Sequence, residues 1–278
     1  VTFFETEYHI LGDHGLAKLG VPLKAGLLGL VSGRLIIELR DDWKTADGRL
    51  LPQGAVVSVE LAAALAAPEQ LQPTLVYAPA PRRAFAEASA TRAHLLVVEL
   101  DNVRGRAFVY TPEPGGRWSR RALALPDNAT IGIVDTDLHS DQAFLDVDSF
   151  LTPSSLWYAD LGAGTLEKVK TLPPKFDAAG LRVEQLEAVS RDGTKIPYFI
   201  VHRADIKLDG STPTILTAYG GFQVSNTPYY SATTGKLWLE RGGAFVLANI
   251  RGGGEFGPAW HEAGLKTKRQ RIYDDFAA

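Results

Sequence analysis

Between Arg34 and Leu172 the sequence keeps returning to short apolar runs that alternate in polarity or are rich in β-branched residues: RLIIELR (34–40), AVVSVEL (55–61), HLLVVEL (94–100), RAFVY (106–110), QAFLDV (142–147), SLWYAD (155–160) and TLEKVKTL (165–172). Turn formers such as DGR, PEPGG, PDN and LGAGT separate them. Successive side chains of a strand point to opposite faces, and Gly, Pro, Asn and Asp close the connections, so this region reads as antiparallel β-structure. A sandwich, a barrel and a propeller all generate such spacing, and no tight repeat chooses among them. One Ala-rich segment, LAAALAAPEQL (61–71), reads as a helix that Pro68 ends early.

The paired prolines of TLPPKFDAAG (171–180) break the pattern, which places a boundary between a domain at 1–174 and a second at 175–278. EQLEAVSRDGTKIPYFIVHR (184–203) predicts two strands joined at Asp192-Gly193, a strong hairpin signal. PTILTAYGGF (213–222) and GAFVLANI (243–250) predict further strands, TGKLWLERG (234–242) a helix ending at Gly242, and a helical stretch starts near Pro258. Asp274 and Asp275 read as the start of another helix. Strand, helix, strand, helix is the order of an α/β layer.

Bulk properties narrow the partners. Lys and Arg total 29 against 32 for Asp and Glu, a net charge of -3, so no global field draws the chain onto nucleic acid. The absence of cysteine excludes a disulfide framework, a Cys-ligated metal and a thiol nucleophile, and a cytoplasmic location fits it. The longest apolar patches, such as VELAAALAAP (59–68), fall short of the ~18–20 residues of a membrane span, and VTFFETEYHI at the start is no signal peptide, so no membrane association is expected. With no methionine anywhere, the chain reads as an internal piece of a longer protein.

Gly252, Gly254 and Gly257 spell G-x-G-x-x-G after an apolar run, the pattern of a dinucleotide-binding turn. Such a site needs an acidic residue ~20 positions on, at the end of a second strand. Asp274 and Asp275 stand near that distance, but PAWHEAGLKTKRQRIY between them and the glycines is polar and basic and holds no strand, so no cofactor is expected. No metal is expected either. His261 and Glu262 begin H-E-x-x-H but Leu265 ends it, and His9, Asp13 and His14 read as a solvated loop before they read as a metal cluster. The basic run Lys266, Lys268, Arg269 and Arg271 reads as an exposed helix face.

AYGGF (218–222), ANIRGGGEFG (248–257), WHEAG (260–264) and DDF (274–276) stand in an order and spacing that resemble the prolyl oligopeptidase family of serine peptidases. RDGTKIPYFIVH (191–202) resembles the strand pair that opens that family's hydrolase domain, and RDDW (40–43) and SFLTPSSLWYAD (149–160) resemble its later propeller blades more loosely. The resemblance implies a partial β-propeller of three to four blades at 1–174, followed by the N-terminal part of an α/β-hydrolase domain at 175–278. It also implies a serine oligopeptidase that hydrolyses short peptides after proline through an acyl-enzyme. No G-x-S-x-G elbow occurs, since LVSGR around Ser32 and FQVSN around Ser225 both fail, so the resemblance puts Ser, Asp and His beyond Ala278 and leaves this chain inactive alone. The alternative is a non-catalytic β-propeller scaffold with a degenerate hydrolase segment.

The resemblance assigns Tyr219 as a hydroxyl donor to the tetrahedral oxyanion, which a phenol, protonated at neutral pH, can serve. It assigns Phe222 to the wall of the pocket for the residue before the scissile bond, where an aromatic suits a proline ring. The plainer reading of both is core packing. Gly220 and Gly221 would turn the backbone to present both side chains on one rim. Arg251, Gly252, Gly253, Gly254 and Glu255 read as a structural loop near the site, held by an Arg251–Glu255 pair.

Overall fold

A computed structural model describes residues 5–13, 15–207 and 209–278. His14, one of the three residues of the possible metal cluster, lies outside them. Strands β1 (His9–Gly12) and β2 (Gly15–Lys18) form an antiparallel pair. Then come β3 (Ala25–Val31), β4 (Arg34–Leu39), a small pair β5 (Trp43–Lys44) and β6 (Leu50–Leu51), β7 (Val56–Glu60), helix α1 (Leu61–Ala66) and β8 (Thr74–Tyr77). The order β3-β4-β7-β8 makes a four-stranded antiparallel meander. A second consists of β9 (Arg83–Ala90), β10 (Leu95–Asp101), β11 (Arg104–Pro112) and β12 (Trp118–Ala122). A third consists of β13 (Thr130–Thr136), β14 (Gln142–Asp148), β15 (Ser155–Asp160) and β16 (Thr165–Thr171). Three successive four-stranded meanders packed face to face are blades of a β-propeller.

The residue alternation seen in the sequence is spent on two cores at once. In β10, Leu95 and Val97 join Val31, Ile36, Val56, Val76 and Tyr110 in the core between the first and second blades. Leu96 and Val98, one residue out of phase, pack with Ile131, Leu145, Val147 and Leu161 between the second and third. That is why HLLVVEL is apolar nearly throughout: both faces of a middle blade are covered.

The remaining four-stranded sheet is mixed. Strands β17 (Leu181–Val189), β18 (Lys195–Arg203), β19 (Thr214–Ala218) and β20 (Ala244–Ala248) are ordered β17-β18-β20-β19, with β18 antiparallel and β19 parallel to β20. The expected hairpin closes through Ser190 and Thr194, with Gly193 in the left-handed region at φ 82°. Helix α2 (Ala232–Leu237) carries the crossover between the parallel strands, with the Ser231 hydroxyl accepting from the Thr234 N–H as its cap. The helix expected over 234–242 thus starts earlier and comes in two pieces, because the backbone kinks at Trp238 before a 3-10 turn, Leu239–Arg241, that Gly242 ends at φ 89°. After α3 (Pro258–Glu262), helix α4 (Gln270–Ala277) begins before Asp274 and Asp275, so those residues lie inside it and do not start it. Phe150, from the third blade's side, packs on Phe199 and Phe245, with ring centroids 5.5 Å and 6.3 Å away, joining propeller and mixed sheet in one apolar cluster.

Candidate functional site

Parallel pairing sets Ala218 opposite Ala248, so Tyr219 and Asn249 leave the sheet at the same level. YGGF and NIRGGGE therefore run side by side at the carboxyl edge of the strands, the edge at which open α/β sheets hold ligands. The glycines let them touch. Gly252 takes φ 92°, and a β-carbon on it would stand 2.6 Å from the Gly220 carbonyl oxygen. A β-carbon on Gly254 would overlap the Gln223 carbonyl oxygen, while the Gly254 N–H donates to the Val224 carbonyl at 3.1 Å. Each loop fills the space where the other would carry side chains, which accounts for Gly252 and Gly254 of the G-x-G-x-x-G pattern, while Gly257 takes φ 81° at the start of α3.

Tyr219 is 45% exposed, and its ring lies over Gly221, where a β-carbon would stand 3.3 Å from both Cζ and Oη. Its carbonyl accepts a 3.0 Å hydrogen bond from Asn226 Nδ2. Phe222 is 74% exposed and, like Gln223 after it, has a positive φ, 51° and 58°. Neither aromatic is a core residue, and a bulky residue held in the left-handed region is a feature that clusters at ligand sites. Next to this turn, Gln223 and residues 256–259 form one wall of a cleft of about 270 Å³ whose other wall is Glu38, Gln53 and residues 79–81 and 83–85 of the propeller.

Arg251 and Glu255 do not pair with each other, contrary to the expectation from sequence. Arg251 turns back beneath the loop: Nη1 donates to Asp192 of the β17–β18 turn at 2.6 Å, and Nε donates to Asp275 of α4 at 2.8 Å. Asp275 also accepts from the Arg251 backbone N–H at 3.0 Å and the Ser190 hydroxyl at 2.6 Å. The Asp275 hydrogen bond raises Arg251 above its ordinary range, and the Arg251 hydrogen bond holds Asp192 well below the usual carboxylate range. Glu255, fully buried, instead accepts at Oε1 from the Asn226 backbone N–H at 2.9 Å and from Asn249 Nδ2 at 3.3 Å. Burial pushes its carboxyl up to about 6.

Asp275 is spent on Arg251 inside a helix, so the acidic partner a dinucleotide turn would need is not free to meet a ribose. Other partners escaped the sequence reading. Asn226 and Asn249 hold the two loops together, with Asn249 Nδ2 donating to the Asn226 carbonyl at 2.6 Å. His261 Nδ1 sits 2.6 Å from the Gly252 carbonyl oxygen and 3.1 Å from the Gln223 backbone nitrogen, between the two loops, and Trp260 Nε1 donates to the Ile250 carbonyl at 3.1 Å. The one signal available was a polar Asn directly after the apolar run AFVLA.

Among the described residues, three propeller blades followed by the opening sheet of an α/β-hydrolase domain define the class. The family comparison agrees: residues 33–171 match the prolyl oligopeptidase N-terminal beta-propeller domain and residues 228–278 the prolyl oligopeptidase family. The chain belongs to the prolyl oligopeptidase family. It is 47% identical over 280 residues to an uncharacterized peptidase of Sinorhizobium fredii, covering 99% of this chain and 38% of that protein. It is 35% identical over 158 residues to the prolyl endopeptidase of Elizabethkingia miricola, covering 57% of this chain and 22% of that one. A post-proline cleaving enzyme from Rickettsia typhi superposes with a TM-score of 0.88 at 32% identity, over 99% of this chain and 40% of that one. The chain thus spans about two fifths of the length of these full-length relatives.

Proposed function

We propose that this chain is part of a serine oligopeptidase that cleaves short peptides after proline, with residues 1–174 as propeller and 175–278 as the first part of the peptidase domain. The observation that carries the reading is the exposed Tyr219 at the carboxyl end of β19, its carbonyl held by Asn226 and its ring directed away from the core. In this reading the serine attacks the peptide carbonyl, and the negative charge that develops on the carbonyl oxygen is met by the Tyr219 hydroxyl and a backbone N–H. A fixed donor at that point stabilises the transition state more than the ground state. Phe222, exposed on the same turn, supplies an apolar wall for the proline ring. Gly220 and Gly221 shape the turn, and the loop Arg251, Gly252, Gly253, Gly254, Glu255 supports it from below. The serine, acid and base come from sequence beyond Ala278, so the chain alone is inactive.

The 47% and 35% identities to a peptidase and a prolyl endopeptidase support the activity. Among the described residues no helix is long and apolar enough to cross a membrane. We read the protein as cytoplasmic, which fractionation of the source cells tests. The activity is tested by treating the full-length protein with a fluorophosphonate and then comparing blocked peptides with proline or arginine before the cut. Labelling with preferential hydrolysis after proline is expected. Failure to label removes the peptidase reading in favour of a scaffold, and preference for arginine removes the proline assignment.

A further inference from the structure

The most unusual group near the site is the Glu255 side chain. It is fully buried, and among the described residues Oε2 has no hydrogen-bond partner, nor does the neighbouring Asn249 Oδ1. Leaving such groups buried costs free energy, so they persist where something else depends on their position. The loop is also cut to fit the carboxyl. A β-carbon on Gly253 would overlap Glu255 Oε2, so the middle glycine of the run is the space in which the carboxylate lies.

From that position a short chain of bonds leads to the tyrosine. Glu255 Oε1 accepts from the Asn226 backbone N–H at 2.9 Å. The Asn226 carbonyl accepts from Asn249 Nδ2 at 2.6 Å, and Asn249 Nδ2 also reaches Glu255 Oε1 at 3.3 Å. With its backbone fixed on both sides, Asn226 holds the Tyr219 carbonyl through its own amide at 3.0 Å. The Tyr219 carbonyl belongs to the peptide that turns the chain from β19 into Gly220, and its orientation sets where the ring projects. We propose that Glu255 is a positioning residue for Tyr219, acting through Asn226, and that the oxyanion donor is aimed by this buried carboxyl.

Neighbouring groups are committed elsewhere: Arg251 is bound to Asp192 and Asp275, and His261 Nδ1 lies against the Gly252 carbonyl and the Gln223 N–H. Burial raises the Glu255 pKa, and the hydrogen bonds from the Asn226 backbone, from its own backbone and from Asn249 oppose the rise. At Oε1 the carboxyl meets both asparagines that hold the tyrosine loop.

The proposal rests on the oxyanion role of Tyr219 and is tested in the full-length enzyme by a double-mutant cycle on a blocked Gly-Pro chromogenic peptide. Asn226 is only partly buried, so Asn226→Ala keeps the fold while cutting the bond to the Tyr219 carbonyl. A donor displaced by a fraction of an ångström loses much of its worth, so kcat is expected to fall about 10- to 100-fold with KM within about twofold. In a Tyr219→Phe background, the same substitution should cost less than about twofold, because the hydroxyl it positions is gone. Glu255→Ala should show the same dependence, and Glu255→Gln, which keeps an acceptor at Oε1, should restore kcat to within about threefold of wild type. If Glu255→Ala does not fold, the Asn226→Ala cycle and the Gln variant carry the test. Equal losses with Tyr219 intact and in the Tyr219→Phe background, an unchanged kcat in Asn226→Ala, or no rescue by Gln overturns the positioning role. Absence of turnover in the wild-type protein removes the oxyanion reading itself and this proposal with it, an outcome distinct from the others.

Discussion

Removing Asp275 should destabilise the protein far more than removing Asp192, although both carboxylates bind the same guanidinium. Arg251 is 4% exposed and Asp275 3%, while the Asp192 side chain is 41% exposed. Asp275 accepts from the Ser190 hydroxyl and from the backbone N–H, Nε and Nη2 of Arg251. Asp275→Ala would leave those donors and a buried positive charge without their main partner. Breaking a buried pair by deleting one member costs about 3–5 kcal/mol, which at about 1.4 kcal/mol per decade raises the unfolding constant roughly 10²- to 10³-fold or more. Asp192 faces water, so in its absence solvent takes over much of its work and the loss should be small. Urea denaturation of the full-length protein carrying each substitution, followed by tryptophan fluorescence, measures both. A loss below about 1 kcal/mol in Asp275→Ala, or a larger loss in Asp192→Ala, would refute the assignment of Asp275 as the principal counter-charge of the glycine loop.

Other expectations follow from the same geometry. Because Glu255 titrates at about 6 in the fold against an ordinary 4.5, its proton stabilises the native state below that ordinary value, and this contribution is lost as pH rises through about 6. The difference is about 2 kcal/mol, so the urea stability of Glu255→Gln relative to wild type should grow by that amount from pH 4.5 to 7.5; a constant difference contradicts it. Gly254→Ala sets a β-carbon onto the Gln223 carbonyl and should cost about 1–3 kcal/mol, read as a lowered Tm, whereas an unchanged Tm would mean the two loops are not in contact. Tyr219→Phe in the full-length enzyme should lower kcat about 10²- to 10³-fold with little change in KM, and unchanged turnover would end the oxyanion assignment.

The parts of the fold legible in the sequence are those where burial dictates residue type. Strands β4, β7 and β10 are rich in Val, Leu and Ile because their side chains fill the spaces between blades, and these, like β14 and β15, were expected near their observed positions. By contrast, β9, RAFAEASA, has little intrinsic β-preference and owes its conformation to pairing with β10, including a register shift at Val98/Glu99. The same holds for β12, WSRRA, an outer strand that is mostly exposed, and for β3, whose two glycines dilute its apolar signal. Within the site, the glycine runs and Tyr219 and Phe222 were visible because they sit in contiguous motifs. The bonds that hold them were not. Arg251 finds its partners 59 positions upstream and 24 downstream, and Asn226 reaches Glu255 across 29 positions. Spacing along the chain says nothing about such meetings until the parallel register of β19 and β20 brings the loops together. The nearest acidic residue in sequence, Glu255, was therefore the wrong partner for Arg251.

The two-sided burial of β10 bears on how this protein can change. A strand that serves as a party wall between two interiors has no idle side, and any enlargement or loss at Leu95, Leu96, Val97 or Val98 disturbs one neighbour or the other. Variation is left to the hairpin ends and outer strands, so relatives should diverge at the blade rims while the wall between the blades stays nearly fixed.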